Sequence, residues 1–333
     1  IDVRKMTPER MKMYFEGNMR DEVLPDIIAL PLYEELIPQE LLLDLGPFFS
    51  EKEIDRFHDI ARKCTTKGEK IYGVPWMMAP YVLIFNNQLL QEANIIIPEE
   101  ELDWAFIDLT VRRLTFRKME GKSEKQYYGF CTYFADYSRP LWSIIHGDGG
   151  TIIDEKSYNM ILEWNREAGA LPQNMMNYSF DEAWQLFAIQ GRVGLMLGNV
   201  RSIYRMRSLQ QMGKGFDITV KAVPADGKKG LFTDQVAAYG IMKSEYGEKV
   251  NLCVSFLKML VEDEAQVELK SIGAFPVIAS IKDIYSDDLQ MSLLESSLKN
   301  YTYSPADTHW RKQGEDAQAK IKFELEKASG FEE

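Results

Sequence analysis

The stretch "IYGVPWMMAPYVLIFNNQLLQEANIIIPEEELDW", residues Ile71 to Trp104, sets the fold class. Tyr81 to Phe85 is a short apolar run rich in β-branched and aromatic residues, the pattern of a strand buried on both faces. Asn86 and Asn87 break it. Residues 88–94 are helix-prone, and Pro98 then forces a new start. Glu99, Glu100, Glu101 and Asp103 gather ahead of the next helix, where the helix dipole favours acids. Such a strand-turn-helix unit exposes a turn at the strand's end, which is where α/β architectures hold ligands.

The same alternation runs along the chain. Residues 7–20 read as an amphipathic helix with Thr7 as N-cap and Pro8 in the first turn, followed by a strand in "PDIIALP". Helix and strand alternate again through Glu51 to Cys64. A long helix is predicted from Trp104 to Met119, then a strand in "YYGFCTYF". The region from Lys156 to Met196 is mostly helical, with a capping box of Ser179 and Glu182 ahead of "VGLMLGN". "DITVKAVPA" and "VAAYGIMK" read as strands separated by the polar loop "DGKKGLFTDQ". Helices return at Tyr246 to Leu260 and Glu264 to Leu269, and a charged amphipathic helix closes the chain. The alternation predicts α/β layers.

With 333 residues, the chain is long enough for two lobes. A formal charge of -12 argues against nucleic acid or an anionic membrane surface as partner, because no basic stripe offsets it. Cys64, Cys131 and Cys253 are widely spaced and odd in number, which predicts buried free thiols rather than a disulfide framework. No apolar run approaches the length of a membrane span, and the start at Ile1 carries no leader pattern.

A search for catalytic chemistry returns little. His58, His146 and His309 form no helical pair, and surface or capping roles are expected for them. There is no GxSxG elbow, Walker loop or GxGxxG after a strand. "HGDGGTIIDE" is rich in glycine but leads into a strand instead of opening a helix, so a phosphate loop is excluded on context. Adjacent acids such as Glu34 and Glu35 arise readily among 51 acidic residues and carry no enzyme signal. What stands out is aromatic residues near strand ends: Trp76, Tyr81, Tyr133, Phe134, Tyr137, Trp142, Tyr204 and Phe275. Exposed rings beside amides and carboxylates suit a sugar-binding surface; Trp142, flanked by Leu141, Ile144 and Ile145, is expected in the core.

Several landmarks follow one another in order: "PDIIAL" with "LLLDLGPFF", the quoted stretch, "LWSIIHGDGGTIID", "SFDEAWQLFAIQGRVGLMLGN", "VPADGKKGLFTDQVAAYGIMKSE", "LCVSFLKML" with "EDEAQVEL", and "IGAFPV". In that order the chain resembles the extracellular solute-binding proteins of ABC importers, in the carbohydrate-binding group related to maltose-binding protein. The resemblance implies an α/β, two-lobed periplasmic-binding-protein-like fold of type II, with a ligand cleft between lobes that close by hinge bending. Residues 1–80 with 236–283 would form lobe 1, and 81–235 with 284–333 lobe 2. "APYVLIF" would be the first crossing, with others near Thr233 to Val236 and residues 278–285. The family has a strand and helix ahead of "IDVRKM", so the chain is expected to lack an N-terminal piece.

By the same resemblance the ligand would meet Tyr33, Glu34, Trp76, Tyr137, Arg139, Asn199, Arg201, Asp234 and Trp310. Val200 stands where the family often has a stacking tryptophan, which leaves Asn199, Arg201 or Tyr204 to replace that contact. The implied function is capture of a sugar or small oligosaccharide outside the membrane and delivery to permease subunits. The protein would be a monomer, periplasmic or lipoprotein-anchored, with no catalytic residue, cofactor or metal. Polyamine or sugar-phosphate binding, and a carbohydrate-active enzyme needing two facing carboxylates, are the alternatives.

Overall fold

The computed structural model describes residues 13, 15, 25–30, 39–134, 140–145, 155–224, 230–232, 236–303 and 308–328. Its strands are, in chain order, β1 (Ile27–Ala29), β2 (Thr66–Lys67), β3 (Lys70–Ile71), β4 (Val74–Met78), β5 (Tyr81–Asn86), β6 (Phe116–Glu120), β7 (Ser123–Cys131), β8 (Val193–Asn199), β9 (Ile218–Ala222), β10 (Gly230–Phe232), β11 (Val236–Ile241) and β12 (Tyr301–Tyr303). The chain divides into two compact units, Ile1–Met78 with Asp234–Ile284 and Ala79–Thr233 with Tyr285–Glu333.

The first unit is built on the antiparallel sheet β1-β11-β4. Ile28, Leu42 and Met242 form a buried cluster against it, joined by Leu30, Leu41 and Tyr72. The segment after the Asp263–Val267 helix returns to the edge of β4, where Met78 and Phe275 exchange backbone hydrogen bonds of 2.9 and 2.8 Å. Ser50 and Glu53 form a capping box at the Glu51–Ile54 helix.

The second unit carries a five-stranded sheet of order β6-β7-β8-β5-β9. β5 pairs antiparallel with both β8 and β9, whereas β7 and β8 run parallel. Parallel neighbours need a crossover, and the Glu155–Arg166 and Phe180–Trp184 helices lie in it. All six residues of β5 are buried, as the apolar run in the sequence predicts. Close packing sets the register of the Trp104–Arg113 helix against β7: a Cβ on Gly129 would lie 2.0 Å from the Val111 carbonyl oxygen, so only glycine fits.

Two predictions of secondary structure are corrected. The helix expected from Trp104 to Met119 stops at Arg113, and the chain turns into the β6–β7 hairpin. Thr115, Phe116 and Tyr127 favour strand, Phe116 stacks on Tyr127 at 4.8 Å, and Gly121 supplies the positive φ of a two-residue turn. The polar loop predicted over residues 226–235 contains β10, which pairs with β12 in the register Gly230 to Tyr301, a long-range partner that no local pattern announces. The predicted Thr7–Pro8 helix start and the strand after "GDGG" lie outside the described residues.

Asn86 joins the end of β5 to the start of the next helix. It ends β5 and is 1% exposed; its Oδ1 accepts from the backbone N–H of Gln88 and Leu89, at 3.1 and 3.3 Å, and so caps the Asn87–Glu92 helix. Its Nδ2 donates to the carbonyls of Gly191 and Val193. Replacing Asn86 with Ala is expected to lower stability by about 1–2 kcal/mol, and Asn86→Ser, which keeps a capping oxygen, by less. Urea unfolding midpoints of the two variants check the order.

Candidate functional site

The expected ligand residues fall unevenly on the structure. Tyr33, Glu34, Tyr137, Arg139 and Asp234 lie outside the described residues, and Trp310 belongs to the Thr308–Ala328 helix, with its side chain outside that description. Trp76, Asn199 and Arg201 can be placed, the first in one unit and the other two in the other.

Trp76 sits on β4 at an irregularity. The ladder with β11 pairs Met77 with Ala237 and then Pro75 with Ala238, so Trp76 has no partner across the strand. This extra residue is a β-bulge, a device that re-aims a side chain. The bulge breaks the in-out alternation, leaving Trp76 and Met77 both half-buried in succession. The Trp76 indole lies parallel to the Tyr239 ring, with centroids 5.8 Å apart and planes within 5°. Both rings are half-exposed, and among the described residues neither the indole N–H nor the Tyr239 hydroxyl makes a hydrogen bond. The Trp76 backbone carbonyl accepts from the Gln266 side chain at 2.8 Å.

In the second unit, Asn199 ends β8. Its Nδ2 donates to the Ala79 carbonyl at 3.0 Å, and its Oδ1 accepts from the Arg201 backbone N–H at 2.8 Å. The amide thereby fixes the first residue of this unit to the start of the Arg201–Gln211 helix. Val200 is fully buried and bonds the Pro80 carbonyl at 3.0 Å, so it occupies core instead of a ligand wall. The Arg201 side chain is exposed and pairs with no carboxylate among the described residues. Tyr204 is committed elsewhere: its hydroxyl bonds that of Tyr285, a fully buried phenol pushed far above its ordinary pKa by burial.

Beyond β7, at the end of the sheet that carries Asn199, the rings of Tyr133 and Phe180 meet edge to face at 5.1 Å. The guanidinium of Arg205 lies 5.0 Å from the Phe180 centroid and 5.2 Å from that of Trp184, and bonds Asp181 at 3.0 Å. Two residues on, Arg207 grips both oxygens of Asp288, whose Oδ1 also caps the Leu289–Ser297 helix through the Met291 N–H. Burial pushes the Asp288 carboxyl up, but the Arg207 guanidinium and the Met291 N–H together hold it below its ordinary pKa.

Chemistry outside these clusters is sparse. Among the described residues no three His, Cys, Asp or Glu side chains gather to hold a metal ion. His58 occupies the N-cap position of the Asp59–Lys63 helix without capping it through its side chain, and burial with nearby Lys282 lowers its pKa. Burial pushes the Cys64 and Cys131 thiols up, making them inert. A polar groove of about 650 Å³ lies at the β6–β7 hairpin, but its Arg117 and Arg166 are already paired with Glu124 and Glu324. No helix among the described residues is long and apolar enough to cross a membrane.

Tyr239, Gln266, Phe180 and Arg205 were not singled out from the sequence. Tyr239 reads as one residue of an ordinary strand, and Gln266 as one polar residue of a helix; their roles depend on partners far away in the chain. Arg207→Met is expected to cost about 1–3 kcal/mol by leaving Asp288 unpaired. Asp288→Asn, which retains the helix cap, should cost about 1 kcal/mol less than Asp288→Ala. Urea denaturation of the three variants measures both.

The profile of the bacterial extracellular solute-binding protein family matches residues 19–267. No curated protein sequence matches the chain. Among solved structures, maltose-bound T. maritima MalE3 is similar with a TM-score of 0.71 and 16% identity, over 98% of this chain and 88% of that one. An ABC substrate-binding protein from Listeria monocytogenes, in complex with cycloalternan, gives 0.69 and 16% over 96% and 86%. A solute-binding protein from Agrobacterium vitis S4 with bound D-mannitol gives 0.67 and 16% over 96% and 84%. At these identities the likeness is one of fold, and it agrees with the α/β, two-unit architecture. With three quarters of its length under the family profile, this chain belongs to the bacterial extracellular solute-binding proteins.

Proposed function

We propose that the protein captures a sugar or small oligosaccharide outside the cytoplasm and hands it to the permease subunits of an ABC importer. The observation that carries the sugar assignment is the Trp76–Tyr239 pair: two parallel, half-exposed rings whose N–H and O–H have no described partner. A flat aromatic surface stacks on the C–H face of a pyranose while the flanking donors reach its hydroxyls. The ligands of the similar structures, maltose, cycloalternan and D-mannitol, are all polyhydroxylated and support the same class.

In this reading the two compact units are the lobes and hinge bending encloses the ligand. Asn199 contributes through its remaining N–H and lone pair, and the exposed Arg201 guanidinium is available to a hydroxyl or an anionic group. Tyr33, Glu34, Tyr137, Arg139, Asp234 and Trp310 complete the proposed contacts. The protein acts without catalysis, as a monomer held at the cell surface by a lipid anchor or free in the periplasm.

A thermal-shift screen with maltose, maltotriose, mannitol, a sugar phosphate and spermidine tests the class. A rise in melting temperature with one neutral saccharide, and no turnover of it, is the expected result. A rise with the sugar phosphate alone would move the assignment to anionic sugars and place Arg201 at its centre. Trp76→Ala is expected to weaken saccharide binding by about 1 kcal/mol or more, roughly five-fold in Kd, with the urea midpoint nearly unchanged. Unaltered affinity by calorimetry would remove Trp76 from the site.

A further inference from the structure

We propose that Gln266 is a positioning residue for ligand binding, fixing the Trp76 backbone by donating to its carbonyl on the edge of β4 that faces away from β11. The inference rests on the reading of Trp76 as a ligand contact.

Gln266 is 0% exposed and lies in the short Asp263–Val267 helix, 190 residues from Trp76 in the chain. Its Nε2 donates to the carbonyls of Trp76 and Leu260, each at 2.8 Å, and its Oε1 accepts from the Val277 N–H at 2.8 Å. The partners dictate the amide's orientation, because two carbonyls require the nitrogen and an N–H requires the oxygen. Both protons of the nitrogen are used, so the side chain cannot rotate without abandoning a buried carbonyl or the Val277 N–H.

The geometry explains why a carboxamide is needed. The Trp76 carbonyl lies on the side of β4 where Phe275 pairs with Met78, and a carbonyl left unpaired there is costly. Glutamate at this position would set an acceptor against two carbonyls, and an apolar side chain would orphan both of them together with one N–H. Trp76 stands two residues from Val74, the cross-strand partner of Tyr239, and its indole stacks parallel to the Tyr239 ring. Gln266 therefore sets the backbone on which the platform is built, and through Val277 it ties β4 to the segment that pairs with it at Phe275.

The test uses the protein labelled with 5-fluorotryptophan, in which the Trp76 resonance among six tryptophans is identified by its loss in Trp76→Phe. In ligand-free Gln266→Met, a cooperatively folded protein with a shifted or broadened Trp76 signal and the other resonances in place is expected. Its affinity for maltotriose should fall about ten-fold, and in a Trp76→Ala background the substitution should have no further effect on affinity. An unmoved Trp76 resonance, or an equal loss of affinity with Trp76 already absent, overturns the proposal. Gln266→Glu, which keeps an acceptor for Val277 and loses the paired donors, decides the question if Gln266→Met does not fold. If the wild type binds none of the screened saccharides, the sugar reading fails, while the fluorine spectrum of the ligand-free variant still decides whether Gln266 positions Trp76.

Discussion

A buried carbonyl that no strand pairs has to find a donor elsewhere, and at three points where the sheets of this protein stop or deviate a carboxamide side chain supplies it. Asn86 does so at the far end of β5, bonding Gly191 and Val193 while its oxygen opens a helix. Asn199 does so at the end of β8 nearest the first passage between units, holding Ala79. Gln266 does so at the bulge of β4. In each case one amide serves a carbonyl and an N–H at once, which a hydroxyl or a carboxylate of similar size matches less well.

The consequence is a scaffold whose irregular points are its best-determined ones. β5 is buried along its whole length, and at its end the Asn86 side chain caps the helix that follows. The Arg201–Gln211 helix begins at the Asn199 amide and, further along, is pinned through Arg207 to Asp288 and through Tyr204 to Tyr285, the residue that opens the last segment of the second unit. One helix thus holds the entry of two separate chain segments into the same unit. The bulge in β4 is fixed in the same manner, and it presents an aromatic pair instead of burying it.

The fully buried strand, the capping box at Ser179, the core position of Trp142 and the helix-strand alternation were all legible in sequence, because each depends on neighbours within a few residues. The order of loosely matching segments along the chain pointed to the solute-binding family, and the family profile spans the same region. The helix predicted to reach Met119 was misread because residues 114–119 are helix-tolerant locally and become strand only through pairing with β7. β10 was missed for a similar reason, since its partner arrives at Tyr301.

For the candidate site the division is sharper. Trp76 could be chosen from the sequence because a tryptophan next to the end of a predicted strand carries its own chemistry. Its parallel stack on Tyr239 and its contact with Gln266 could not, since the first needs β4 to pair with β11 from far along the chain and the second spans 190 residues. Local sequence determined which segments became strands and helices and where they were capped, through short-range periodicity and hydrogen bonding. Only the tertiary structure decided which side chains satisfy the backbone where those elements fail to pair, because that choice is made by residues that meet only after the chain has folded.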